Sequence, residues 1–264
     1  MELKNNNFNL TGVKRYLTGK RLFGGDLIIA IGRSFIGAPY QADSLELKGR
    51  EKLVVNFSQF DCTTFVETVL ALAKCAVAGK ISPSEFRRTL QLIRYHRGTI
   101  DGYSSRLHYF TDWLRDNEKK KILKNISRRL NAAAQRKKIN YMTAHRASYP
   151  ALKNEGEFQK MLLVEKNLSR KIFYIIVKDK VNRQIEKIKN GDIIAFTTDQ
   201  KGLDVSHTGF ALWQRGKLYL LHASSKEGAV VISKKTVVSY LKSNKNFTGI
   251  IIAEYLGSFS AGTN

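Results

Sequence analysis

Cys62 and two histidines, His207 and His222, are the residues whose types and spacing suit covalent chemistry. Asp61 precedes Cys62 and is a good helix N-cap, with its carboxylate placed to accept amide hydrogens of a first turn. Phe65, Val66, Val69, Leu70, Leu72 and Ala73 follow at helical spacing and make one broad apolar face. Cys62 therefore falls in the first turn, where the positive end of the helix dipole stabilises a thiolate. A nucleophile needs a base. Of the five histidines (His96, His108, His145, His207 and His222), the last two lie in strand-like runs, VSHTGFALW at 205–213 and KLYLLHA at 217–223. Arg215-Gly216 between these runs is a hairpin signal. The histidines stand at comparable distances from that turn, so they become neighbours on one face of the ladder, subject to register. A thiol, a base and a second ring that orients the base make the constellation of a thiol hydrolase. Cys62 attacks, His207 takes and returns the proton, and His222 orients His207. The Cys62 amide and the Tyr40 hydroxyl are expected to stabilise the oxyanion. Asp61 caps the helix, binds substrate, or does both.

Other uses of these side chains are weaker. Cys62 and Cys75 are thirteen residues apart on one expected helix, which separates them by roughly 20 Å and rules out a disulfide between them. Cys75 sits among Ala71, Ala73, Ala76 and Ala78, where a small buried thiol is the ordinary reading. Zinc on Cys62, His207 and His222 lacks a carboxylate or second thiol at ligand spacing, so no metal and no cofactor is expected.

The elements that must position these residues change character along the chain. Residues 1–50 read as two short helical pieces, the second over 22–35, ended by Gly37-Ala38-Pro39. A loop follows at 40–46, and 52–57 (KLVVNF) is a candidate strand. Residues 82–170 read as mostly helical: 82–95, an aromatic-rich stretch at 104–117, a basic stretch at 118–136 and a last helix at 155–167, interrupted at 142–149. From about residue 171 six β-rich runs alternate with turns: 171–177, 191–197, 205–213, 217–223, 229–233 and 249–255. Helices first and an antiparallel meander afterwards give an α+β fold, read as one domain over 1–264 with a helical insertion at about 82–170.

Lys plus Arg is 45 against 22 Asp plus Glu, a formal charge of +23. Such a surface attracts polyanions: nucleic acid, anionic lipid or acidic wall polymers. No zinc-finger spacing, RNP-like aromatic motif or heptad-linked basic region accompanies it, so a nucleic-acid module is not favoured. No stretch reaches the roughly 18 apolar residues of a membrane span. The opening MELKNNNFNL lacks an apolar signal core.

FDCTTFV at 60–66 resembles the D-C-[ST]-x-F-V start of the catalytic helix in NlpC/P60 cysteine peptidases. GDII at 191–194 resembles the G-D strand that precedes the histidine of that family, and SHTGFAL at 206–212 resembles its H-x-G strand. Gly37-Ala38-Pro39-Tyr40 is similar to its G-x-P-Y segment. CTTFVE at 62–67, DGYSSRLHYFTDW at 101–113 and HRASYPAL at 145–152 narrow the resemblance to the DUF1460 branch. The resemblance implies a papain-like core and N-acetylmuramoyl-L-alanine amidase activity on muropeptides, with Cys62, His207 and His222 as catalytic residues. The substrate then places the protein in the periplasm or cell envelope. Arg106 and Tyr109 of the insertion, and Ser206 beside the base, join Tyr40 and Asp61 as expected substrate contacts, because arginine pairs with carboxylates and aromatic rings pack on sugar faces. A stem-peptide endopeptidase with the same triad and a thiol acyltransferase are the competing enzymes.

Overall fold

The computed structural model of this chain describes residues 22–46 and 49–257. Helix α1 spans Gly24–Arg33. Helix α2 spans Cys62–Val77 and α3 spans Pro83–Arg94. After two short 3-10 turns comes α4, Phe110–Lys119. Two three-residue strands follow, β1 (Leu123–Asn125) and β2 (Ala133–Gln135). Then come a single helical turn α5, Tyr141–Ala144, and α6, Glu155–Ser169. The sheet-forming half holds β3 (Phe173–Val177), β4 (Ile193–Thr198), β5 (Val205–Gln214), β6 (Lys217–Ser224), β7 (Ala229–Ile232), helix α7 (Val237–Ser243) and β8 (Phe247–Tyr255). Among the described residues no helix is long and apolar enough to cross a membrane.

The strands form one antiparallel sheet in the order β2-β3-β8-β4-β5-β6-β7, with β1 also on β8. The meander expected from the sequence holds for β4 to β7. The last strand departs from it, returning to lie between β3 and β4. Both faces of the sheet are covered. On one, α1 and α2 bury Ile28, Ile31, Phe65 and Val69 against Phe210, Leu212, Leu221 and Ala195. On the other, Ile194, Phe196, Leu220 and Ile250 meet Val237 and Leu241 of α7. Double coverage is why GDIIAF and GIIIA are continuous apolar runs and not alternating ones. The sequence therefore makes a mixed helix and antiparallel-sheet protein.

Gly191 shows why one short motif is built as it is. Its φ is +77°, and a Cβ there would lie 2.4 Å from the Cα of Gly25. The start of α1 thus crosses the entry to β4 backbone against backbone, a contact that only glycine permits on both sides.

Two expected elements are different. Residues 52–57 form no strand, and side chains at the end of α3 take up their carbonyls: Arg94 donates to Val54 O at 2.6 Å and the hydroxyl of Tyr95, just past the helix, to Lys52 O at 3.2 Å. The basic stretch 118–136 is α-helical only to Lys119, with one further 3-10 turn at Ser127–Leu130. Lys121 and Asn131 take left-handed φ values of 56° and 57°, Asn125 Oδ1 accepts the Ser127 amide at 3.0 Å, and β1 and β2 pair with β8 and β3. Short polar side chains that bond their own backbone compete with a helix, and Ile122 and Leu123 bury against the sheet instead. The first helical piece expected in residues 1–50 lies largely outside the described residues.

Candidate active site

Asp61 sets the position of the thiol. Its Oδ1 accepts the amides of Thr63 at 2.9 Å and Thr64 at 2.7 Å. Thr64 Oγ1 accepts the Asp61 amide at 2.9 Å, closing a capping box. The cap takes the second and third amides of α2 and does not use that of Cys62, which lies beside its own sulfur. The Asp61 carboxylate is thus a cap, and its charge is also felt by Cys62 and Tyr40.

The hairpin sets the positions of the histidines. β5 and β6 pair from Gln214↔Lys217 to Phe210↔Leu221. Continuing that register one step puts His222 opposite Gly209, so His222 and His207 are diagonal neighbours, offset by two residues, and not directly opposed. They share a face, and His207 Nε2 meets His222 Nδ1 at 2.6 Å. Gly209 makes room for this contact. A Cβ there would lie 2.7 Å from the Cβ of His222 and 2.9 Å from Leu221 O. Neither is the end of a flexible chain. Gly209→Ala is therefore expected to push His222 off His207 and, with the pair acting in catalysis as the sequence leads one to expect, to lower kcat by about 10²-fold. A kcat within twofold of wild type, in a variant of normal melting temperature, would contradict this role.

The Thr208 amide lies two residues past the last β5–β6 pair and is turned toward the Cys62 sulfur, where it favours the thiolate. Thr63 Oγ1 is 4.0 Å from the same sulfur. The residue after His207 thus faces the thiol, and the start of β5 and the start of α2 meet at one point. Burial, and then the Asp61 charge, nevertheless push the Cys62 thiol up to about 12. Burial, with His222 alongside, pushes His207 down to about 3, and burial pushes His222 down to about 4. At neutral pH the resting site holds a thiol and two neutral imidazoles, not a preformed ion pair. The Tyr40 phenol also faces the sulfur. Burial, Cys62, Asp61 and Asp43 raise it to about 12, so it remains a proton donor.

A base with a lowered pKa stays neutral to lower pH, so the acid limb of activity moves down. kcat/KM is expected to stay level from neutrality down to about pH 5. A limb at the ordinary imidazole value of 6.5 would show instead that the pair is wet.

The remaining expected contacts separate into two groups. Ser206 is exposed beside His207, and Tyr40 is half-buried beside the thiol. Arg106 and Tyr109 are instead committed internally. Arg106 is 4% exposed; its guanidinium donates to Leu45 O at 3.0 Å and Glu46 at 2.7 Å and lies over the Tyr103 ring. Tyr109 is 2% exposed and donates to Glu165 at 2.7 Å. The 101–113 motif is a fastener. Ser104 N–H donates to Glu157, while the Thr111 amide and hydroxyl both donate to Asp204 Oδ2 at 2.7 Å. Asp204 thereby caps α4 from across the chain and ties it to the loop that leads into His207. Among the described residues no three His, Cys, Asp or Glu side chains gather as metal ligands.

Sequence reasoning missed Tyr240. Its ring centroid is 5.9 Å from that of His207 and 5.5 Å from that of His222. A signal was present: Thr236 followed by Val237, Val238, Tyr240 and Leu241 is a capped turn with helical apolar spacing.

A capped cysteine helix set against a sheet that carries a histidine pair defines an enzyme-like site in a mixed helix and antiparallel-sheet fold. The family model described as AmiA-like, N-acetylmuramoyl-L-alanine amidase-like, matches residues 30–250, and the chain belongs to that family. Its structure is similar to that of an N-acetylmuramoyl-L-alanine amidase from Bacteroides uniformis, with a TM-score of 0.83 and 40% identity over 88% of this chain and 98% of that one. It also resembles a DUF1460 protein from Legionella pneumophila, with a TM-score of 0.69 and 24% identity over 94% and 95% of the two chains, a likeness of fold. No curated protein matches. Membership makes this chain a peptidoglycan amidase in general terms.

Proposed function

We propose that the protein is a cysteine-dependent N-acetylmuramoyl-L-alanine amidase, cutting the amide between the lactyl group of muramic acid and the first stem-peptide alanine. The observation that carries this reading is the 2.6 Å bond between His207 Nε2 and His222 Nδ1, one residue from the Thr208 amide that faces the Cys62 sulfur. We assign the proton of that bond to His207 Nε2, donating to His222 Nδ1, because only this tautomer leaves His207 Nδ1 as a free basic nitrogen.

The reaction follows from these positions. As the Cys62 sulfur attacks the lactyl carbonyl carbon, its proton passes to His207 Nδ1. The carbonyl oxygen becomes an oxyanion and accepts from the spare Cys62 amide and the Tyr40 hydroxyl. Collapse breaks the C–N bond, and His207 returns the proton to the departing alanine nitrogen. Water, losing a proton to His207, then attacks the thioester. Muramic acid leaves as its carboxylate and the thiol is restored. Asp61 and Ser206 border this point and are the proposed polar contacts to substrate. No step needs a cofactor. One NlpC/P60-like catalytic domain carries the reaction, its papain-like core extended by the insertion. A peptidoglycan substrate places the protein in the periplasm or cell envelope.

Mass spectrometry of defined muropeptides tests the bond assignment. Release of a free stem peptide that begins with alanine supports the amidase. Cleavage within the stem would move the substrate to that of an endopeptidase with the same triad.

A further inference from the structure

α7 crosses behind the histidine pair, and the reaction above does not use it. The helix opens on Thr236, whose hydroxyl accepts the Ser239 amide at 3.4 Å. Val237 and Leu241 are buried in the second apolar cluster. Tyr240, between them on the same turn, brings its ring to both imidazoles, at 81° to His222 and 36° to His207. The same ring is 5.3 Å from Phe196 and 6.1 Å from Phe247. Those two stack on each other at 5.0 Å and 26°, and Phe196 is 6.0 Å from His207. Three rings, from β4, α7 and β8, thus cluster about the hydrogen bond between the imidazoles of β5 and β6.

We propose that Tyr240 is a positioning residue whose ring, held by α7 against His207 and His222, fixes the orientation of their hydrogen bond and excludes water from it. The proposal rests on the cysteine–histidine reading of the site but not on which amide is cut.

A bond between two neutral imidazoles has no charge to strengthen it. Water competes for either nitrogen, and either ring turns about χ2 at little cost. An edge contact at 81° blocks rotation of His222, and the tilted contact does the same for His207. A rigid aromatic ring supplies this wall with few rotamers to freeze. The ionisable groups around the pair are the Tyr240 phenol from α7, which itself neighbours the Cys62 thiol of α2, and Glu227 from the β6–β7 turn, which is paired with Lys234 at 2.9 Å. Phe196 and Phe247 bring no charge. Burial and the neighbouring Cys62 raise the Tyr240 phenol to about 12, so it stays neutral beside the neutral pair.

The test is an NMR titration of the His207 and His222 ring protons in wild type, Tyr240→Phe and Tyr240→Leu, alongside the pH dependence of Cys62 alkylation by iodoacetamide. Wild type and Tyr240→Phe, which keeps the ring, are expected to titrate well below the ordinary histidine value. Water reaching the pair removes the desolvation that favours the neutral base, so Tyr240→Leu is expected to titrate about one pH unit or more higher. Its alkylation profile should shift the same way at an unchanged melting temperature, a change that a merely structural role would not produce. Tyr240→Met gives the same comparison should the leucine variant not fold. Titration unchanged without the ring, or a phenylalanine variant shifted as far as the leucine one, would overturn the proposal. Neither readout uses a muropeptide, so its failure is distinct from failure of the amidase assignment.

Discussion

His207→Ala is expected to lower kcat by about 10³-fold or more while leaving the fold and substrate affinity close to wild type. The size of the loss follows from the charge state of the site. Burial and the Asp61 carboxylate hold the Cys62 thiol up near 12, so almost no thiolate exists at neutral pH without a base. The helix N-terminus and the Thr208 amide favour the thiolate, but burial outweighs them. In the proposed mechanism His207 therefore takes the proton as the carbon–sulfur bond forms. With the base absent, the residual rate should climb steadily with pH as hydroxide does the same work. That slope, measured from single turnovers between neutral and alkaline pH, is the signature to seek. A variant with wild-type kcat and a level profile would place the base elsewhere.

The second large effect is on stability. Glu67, five residues beyond Cys62, is 1% exposed, and its partner Arg94 is 3% exposed. Arg94 Nε meets Glu67 Oε2 at 2.6 Å, and the same guanidinium donates to Val54 O at 2.6 Å. The pair pins α2 to α3 and to the irregular segment before the site. Removing one charge leaves the other buried without its partner, which costs about 3–5 kcal/mol. Glu67→Ala should lose that much in urea unfolding. The double change Glu67→Leu with Arg94→Met should recover most of it, because no charge is then buried. A single variant within about 1 kcal/mol of wild type, the span of an exposed pair, would refute the buried-pair account.

These residues also mark what the sequence can reveal. The start of α2 was legible because a cap and an apolar face are local, and the capping box at Asp61 and Thr64 realises them. The β4 to β7 runs were legible because their apolar residues lie between clear turns. Partners far apart in the chain were not legible. Arg106 looked like a ligand for a carboxylate; the carboxylate it meets is Glu46, 60 positions away. Tyr109 looked like a sugar platform; its hydroxyl serves Glu165, 56 positions away. The offset between His207 and His222 depends on strand register, which the turn sets and composition does not. Helical periodicity at 118–136 was overridden by an open sheet edge that needed β1 and β2.

The account stands or falls on a covalent bond to Cys62. Rapid quenching of wild-type enzyme turning over a muropeptide, followed by mass spectrometry of the proteolysed protein, reads it directly. The account predicts a muramoyl acyl group on the peptide that contains Cys62, removable by hydroxylamine, with both adduct and turnover absent in Cys62→Ala. Turnover that persists in Cys62→Ala, with no adduct on the wild-type peptide, would contradict it.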